Sequence, residues 1–520
     1  MSDALDQLER SILHNQADST TQHQAIFDRQ PRVYKYTLFC LALLGYAFIF
    51  GLPVSALFIA TLIPEQMINT HDYLGVSIIL LQIAFVLLAA SLSFTLFQLK
   101  PALPSGRPIS TDESPKLFAL INELNQQFAK GKLQPSIHQV KISQHHEIKT
   151  VRTPRNGFPL LFTNTLILGL PLLQSHSPKQ LKALISREII QLAGTHSRMS
   201  SALCFTSSYW SQYCEALKKK TSTPNILLLF FFAWYTPLYK LMSKGATILE
   251  SYHADTETAQ SLGRQTLSDT LVQSFISHKF IQDVYWPHLN DKAYRHKKPP
   301  YLPYASFERN LKSKLDDNTR QSWLDAASIS NDDSHHYLSL LNRLHKLDIS
   351  NPSLPASYQV SAAHYFLADI LKTLIAQMDR LWFAGSKFNW QKRYKKGQSE
   401  LTELRELGIQ AEQGLLSNER MWDYIQLIKR YKTEQEASEL YKKVLQYDTN
   451  DIRISFEIGR TLLDNMNSDG ILALEKAIHL DEGYTLMACQ ILTRYYTRIG
   501  DNRSAQSCRR RALAHQVNAA

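Results

Sequence analysis

The sequence predicts a mainly α-helical membrane protein with a small β-sheet. Three observations carry that class. Two apolar runs near the N-terminus contain no Asp, Glu, Lys or Arg; a middle region repeats apolar residues at helical spacing and has only two β-like runs; and the C-terminal hundred or so residues read as paired helices of regular period. A chain of 520 residues has room for several compact units. Its formal net charge is +11, with Lys and Arg spread along the whole length and no recognisable nucleic-acid module. The basic balance therefore points to membrane lipid, at the anionic inner membrane surface, and not to nucleic acid. Cys40, Cys204, Cys214, Cys489 and Cys508 are odd in number and scattered. That excludes a disulfide framework, fits a reducing compartment, and leaves no cysteine pair spaced for zinc.

Residues 1–35 form a polar tail, too long for the first apolar run to be a cleaved signal peptide. Residues 36–98 hold the hairpin: Thr37 to Ile63 and Leu74 to Phe97 each exceed the roughly 20 residues that cross a bilayer. The connecting loop, Pro64 to Tyr73, contains Glu65 and Asp72 but no Lys or Arg. Arg29, Arg32 and Lys35 precede the hairpin, and Lys100, Arg107 and Lys116 follow it. By the positive-inside rule both termini and the bulk of the chain lie in the cytoplasm, anchored in the cytoplasmic (inner) membrane. A third apolar stretch, residues 225–239, is short, contains Pro237, and has lysines on both sides. It reads as a membrane-associated segment that lies at the interface or dips in and returns.

A Pro-rich linker from Lys100 to Pro115 leads to an amphipathic helix over Lys116 to Lys130. Val140 and Ile142 mark one strand and Leu160 to Ile167 another. Ser177-Pro178 is a helix start, with a capping residue and Pro at the first position. Leu181, Leu184, Ile185, Ile189 and Leu192 then trace one apolar face, and Gly194 can end the helix. On this helix stands Arg187-Glu188-Ile189-Ile190-Gln191. A zinc peptidase carries His-Glu-x-x-His in such a place, two imidazoles one turn apart on one metal and a glutamate as general base.

The surroundings make the comparison specific. Leu168-Gly-Leu-Pro-Leu-Leu173 precedes the helix and His196-Ser197-Arg198 follows it. Then come Phe231, Phe232, Trp234, Tyr235 and Pro237; Tyr252, Ala254 and Asp255; Tyr285-Trp-Pro-His-Leu289; Pro299-Pro-Tyr301; and Asp333-Ser-His-His336. In this order the landmarks resemble the integral-membrane zinc metallopeptidases of the HtpX and CAAX-prenyl-protease type. Among these, the larger bacterial members described as Zn-dependent proteases with chaperone function are most similar. The resemblance covers about residues 110–345, extends weakly to Trp390, and sets the domain at residues 110–350. It implies a gluzincin-like metallopeptidase domain there, with zinc as the family cofactor.

Carried over position by position, the zinc site is dismantled. Arg187 and Gln191 stand where the two histidines belong, and Ser251 where the third ligand, a glutamate, belongs; Glu250 is one residue early, about 100° round a helix. Glu188 keeps the general-base position and Asp255 its place in the third-ligand motif. Arginine presents only donors, and Gln and Ser are poor zinc ligands. Without metal, water keeps its ordinary pKa and Glu188 is inert. No cofactor is therefore expected, and the Arg187 guanidinium should pair with Glu188, Asp255 or Glu250. His145, His146, His196, His253, His335 and His336 read as ordinary histidines.

Residues 351–416 read as a helical connector. From residue 417 to 520, Ala437-x3-Tyr441-x2-Val444, Gly470-x3-Leu474-x2-Ala477 and Ala505-x3-Arg509-x2-Ala512 start 33 and 35 residues apart. Asp448-Thr-Asn450 and Asp481-Glu-Gly483 read as turns. The pattern resembles tetratricopeptide repeats of about 34 residues. The function expected is a catalytically inactive pseudopeptidase that binds protein or peptide partners through its repeats and former cleft at the cytoplasmic membrane face, in membrane-protein quality control. An active zinc endopeptidase with unusual ligands and a repeat-based adaptor are the alternatives.

Overall fold

A computed structural model describes residues 31–69, 72–98, 104–128, 136–155, 158–194, 198–219, 225–329, 340–445 and 451–519. His196, His335, His336 and the Asp448 turn lie outside them. The chain divides into two compact units, residues 1–287 with 301–384, and residues 288–300 with 385–520. It is mostly helical, with one four-stranded sheet and two N-terminal apolar helices.

Those two helices, α1 (Pro31–Asn69) and α2 (Tyr73–Gln98), pair with each other. Val33–Ile68 and Tyr73–Leu96 are the only two helices among the described residues long and apolar enough to cross a membrane. Leu57, Phe58, Leu80 and Leu81 point outward, more than 60% exposed, which is a surface suited to lipid. At 1.5 Å per residue α1 runs about 58 Å, nearly twice the hydrocarbon thickness. Its N-terminal half is instead packed against protein.

The sheet runs β1 (Arg107–Ile109), β2 (Gln139–Ser143), β3 (Ile148–Arg155) and β4 (Phe158–Gly169), in the spatial order β1-β2-β4-β3. β2 and β4 are parallel, with Val140 opposite Leu166; the outer pairs are antiparallel. The two strands expected from the sequence are the central ones. The edges were not legible. β1 has three residues inside the Pro-rich linker, and β3 (Ile-Lys-Thr-Val-Arg-Thr-Pro-Arg) lacks an apolar face.

Against the sheet lie α3 (Pro115–Phe128), α4 (Leu170–Ser175) and α5 (Pro178–Ala193). Leu117, Leu124, Ile142, Leu166, Leu181, Ile185 and Ile189 share one core. Ser177 caps α5 with a full capping box, its side chain accepting from Gln180 N while Gln180 Oε1 accepts from Ser177 N. Gly194 ends α5 in the left-handed region (φ 60°), its N–H donated to Ile190 O.

Two long helices follow, α6 (Arg198–Lys219) and α7 (Asn225–Leu262), packed antiparallel. Tyr239 donates to Leu203 O at 3.0 Å while Phe232 packs near Tyr213. Residues 225–239 are thus the first part of a 38-residue helix seated on α1. Tyr235 donates to Leu41 O at 2.9 Å, Phe48 stacks on Phe231, and Tyr34 donates to Met242 O. Gly45 permits this approach: a Cβ there would stand 2.4 Å from the Tyr235 hydroxyl.

The first unit is completed by α8 (Arg264–Lys279), a π-helical turn over Phe280–Tyr285, the start of α9 (Trp286–Arg295), α10 (Pro303–Lys314), α11 (Asp317–Ile329), α12 (Leu340–Lys346), α13 (Ala362–Phe366) and the start of α14 (Leu371–Glu412).

In the second unit six helices follow α14: α15 (Asn418–Tyr431), α16 (Glu434–Leu445), α17 (Ile452–Asp464), α18 (Asp469–Leu480), α19 (Thr485–Arg498) and α20 (Asn502–Ala519). Each packs on the next, and α15, α17 and α19 also pack in succession. Ala437, Tyr441, Val444, Gly470, Leu474 and Ala477 are buried as their spacing predicts. The third set is looser: Ala505 is buried and Arg509 exposed. The glycines allow close packing, since a Cβ on Gly470 would lie 2.6 Å from Gly459 O.

Candidate functional site

α5 is amphipathic, and its buried face carries Glu188 among Leu184, Ile185 and Ile189. One residue earlier, Arg187 reaches across to α7, where Nε donates to Asp255 Oδ1 at 2.8 Å. Its Nη1 lies 3.5 Å from Glu188 Oε1. Asp255 is completely buried and takes a second guanidinium: Arg343 of α12 donates Nε to Oδ2 and Nη2 to Oδ1, both at 2.7 Å. This fork is the strong, bidentate form of an ion pair. Glu188 Oε2 accepts the backbone N–H of Thr150 on β3 at 2.9 Å. Four charged side chains, two of each sign, thus tie together α5, α7, α12 and the sheet edge.

Burial and charge pull the two carboxylates apart. Burial alone would raise Asp255, but Arg343 and Arg187 outweigh it and hold its carboxyl below the usual carboxylate range. Glu188 is raised above that range, because burial exceeds the help from Arg187 and the Thr150 N–H. A raised glutamate is a typical general base. Here it has one oxygen on the backbone and the other beside a guanidinium.

The expected pairing of Arg187 is present in both of its nearest forms, with Asp255 and with Glu188. Gln191 is half-buried one turn on, its backbone oxygen accepting from Ser201 Oγ at 2.7 Å. Ser251 is buried one turn before Asp255. It therefore shares the α7 face that meets Arg187, while Glu250, also buried, is rotated off it.

Zinc, the cofactor the resemblance implies, does not fit this donor set. Two of the side chains only donate, Asp255 already accepts from the guanidinium N–H groups of Arg187 and Arg343, and one Glu188 oxygen is taken by an amide. Among the described residues no three His, Cys, Asp or Glu side chains are grouped to hold a metal. Neither a protein-family model nor a characterised protein matches this chain.

Arg343 was missed by the sequence reading. It lies 88 residues beyond Asp255, and nothing local distinguishes it from other basic residues of its helix. His146 also has more to do than expected. Half-buried between the sheet and α8, it meets Ser277 Oγ at 2.9 Å and Ser175 Oγ at 3.3 Å, with the rings of His176 and His278 about 6 Å away.

Proposed function

We propose that this chain is a membrane-anchored, metallopeptidase-like pseudopeptidase that binds proteins at the cytoplasmic face of the membrane. The observation that carries the reading is the Arg187–Asp255–Arg343 network. Arg187 occupies the place of the first zinc-binding histidine, and its partner Asp255 belongs to the third-ligand motif. Of the three former ligand positions, Arg187 thus enters a salt bridge with the residue of the third-ligand motif in place of a metal. A fixed guanidinium there repels cations and leaves Glu188 without a metal-activated water to act on. The two apolar helices supply the anchor, and the lysine-flanked, partly exposed start of α7 suits the bilayer boundary. The former cleft and the paired C-terminal helices would hold protein clients, in keeping with quality control of membrane proteins.

The test is metal content by elemental mass spectrometry, on protein purified in mild detergent without a metal-affinity column. The wild type should hold no stoichiometric zinc after zinc is added, whereas R187H/Q191H/S251E should gain it. Stoichiometric zinc in the wild type, lost on replacing one histidine, would overturn the reading in favour of an active endopeptidase. The compactness of the second unit favours a second reading, a repeat-based adaptor. In that case, function would survive substitution of Arg187 and Asp255 and fail on truncation at residue 416.

A further inference from the structure

We propose that the anchored chain lays one face of α14 on an anionic phospholipid surface. In the second unit this helix runs from Gly385 past residue 400. At about 100° per residue, Lys387, Phe388, Lys392, Lys395 and Lys396 fall on one half of its circumference. All five are exposed, and Phe388, in the middle of the face, is 75% exposed. The opposite side is the packed one. Trp390 is buried and donates Nε1 to His296 O at 2.9 Å, Arg393 donates to Asn290, and a Cβ on Gly397 would stand 2.0 Å from Tyr294 O. The segment 288–300 thus clamps one face of the helix and turns the lysines outward.

Charge complementarity decides the occupant. Lys396 lies 3.6 Å from Glu400, but that carboxylate is already committed to Arg430 and Tyr431. For Lys387, Lys392 and Lys395 no carboxylate lies within ion-pairing distance among the described residues. Lysines are flexible point charges without the geometry for bidentate recognition. Four of them around one exposed aromatic ring match headgroups above acyl chains, with the ring inserting and the ammonium groups remaining at the surface. A polyanionic macromolecule would use the charges but gives no reason for an apolar residue at their centre. The inference rests on the anchoring reading, since an anchored chain meets the bilayer surface at high effective concentration.

The test is amine footprinting by mass spectrometry of the full chain in nanodiscs, either neutral phosphatidylcholine or containing phosphatidylserine. Lys387, Lys392 and Lys395 should label about fivefold more slowly in the anionic discs. The protection should vanish near 1 M salt, where the screening length falls to about 3 Å. F388S should weaken it while leaving the thermal midpoint unchanged. Equal labelling in both discs overturns the inference and leaves the anchor intact. Protection by added RNA or acidic protein, but not by anionic lipid, overturns it in favour of a soluble polyanion. A chain that fails to enter nanodiscs overturns both the inference and the anchoring reading.

Discussion

At the scale of single residues, Asp255 is the most consequential side chain in the first unit. It is fully buried and is the shared acceptor of two guanidiniums. Removing one partner of a buried ion pair costs about 3–5 kcal/mol, because the other charge is left buried and uncompensated. Here D255N strands the Arg343 guanidinium and leaves Arg187 with Glu188 alone, so its loss should reach that range. R187M leaves the Arg343 fork in place and should cost less. The change R187M/E188Q/D255N/R343M should recover much of the loss, since none of the four buried charges then remains. Thermal denaturation in mild detergent checks the order; equal midpoints for D255N and the wild type would show the network to be energetically idle. Part of this site was legible in the sequence. A motif with fixed internal spacing placed Arg187 and Glu188 on one helix, and a second motif supplied Asp255. Arg343 was not, because its role arises only when α12 folds back onto α7.

At the scale of elements, helix ends were read more reliably than strand edges, for a physical reason. The Ser177-Pro178 start and Gly194 stop of α5 are local chemistry, each written in a few consecutive residues. β1 and β3 are strands because β2 and β4 offer them hydrogen bonds, which no window of sequence contains. The start of α10 is a similar case. Its N-cap position is Leu302, which has no side-chain acceptor. The acceptor comes from α14, where Asp379 takes Tyr304 N at 2.8 Å and Ala305 N at 3.2 Å. Burial raises the Asp379 carboxyl and the two N–H groups oppose that shift. D379A leaves both amides without this acceptor and should cost about 1–2 kcal/mol, the usual loss for a helix cap. D379N, which keeps one oxygen, should recover part of it. Hydrogen exchange at Tyr304 and Ala305 should speed up in D379A, and unchanged exchange would mean that another group satisfies the helix end.

At the scale of the whole molecule, acid sensitivity and topology both follow from contacts between distant segments. His146, from the β2–β3 turn, meets His176, which follows α4, and His278 of α8. His176 keeps its Nδ1 proton on Leu172 O and receives Ser274 Oγ at Nε2, 2.8 Å away. Burial drives all three rings below the usual imidazole value, His146 well below it and His176 to about 4; Asp283 opposes the shift at His278. The folded form therefore favours neutral rings. The contribution of these rings should be constant above pH 6.5 and fall as the pH drops below it, the His176 share being fully lost below about 4. For His176 alone the loss is on the order of 3 kcal/mol. H176Q should flatten the dependence of the thermal midpoint on pH, and an identical slope in that variant would place the acid sensitivity elsewhere.

Topology is constrained by the same kind of long-range contact. Arg187 precedes the α6–α7 pair and Asp255 lies near the end of α7, yet they are 2.8 Å apart. On the proposed anchoring, the chain between them would therefore cross the membrane an even number of times, so residues 225–239 would not be a lone crossing. If α1 and α2 are the two spans of that anchor, the segments before and after the hairpin would share one side. On the proposed anchoring, the lysines and arginines around the hairpin and their absence from its loop would select the cytoplasm for that side by the positive-inside rule. A reporter that works only in the cytoplasm should be active when fused at the C-terminus. One that works only outside should be inactive there and active when inserted between Asn69 and Tyr73. The reverse pattern would invert the orientation while leaving the even count intact, because that count rests on the Arg187–Asp255 contact and not on charge. Adding lysines to the loop should then shift the orientation without disturbing the site, since the hairpin loop and the buried network share no residue.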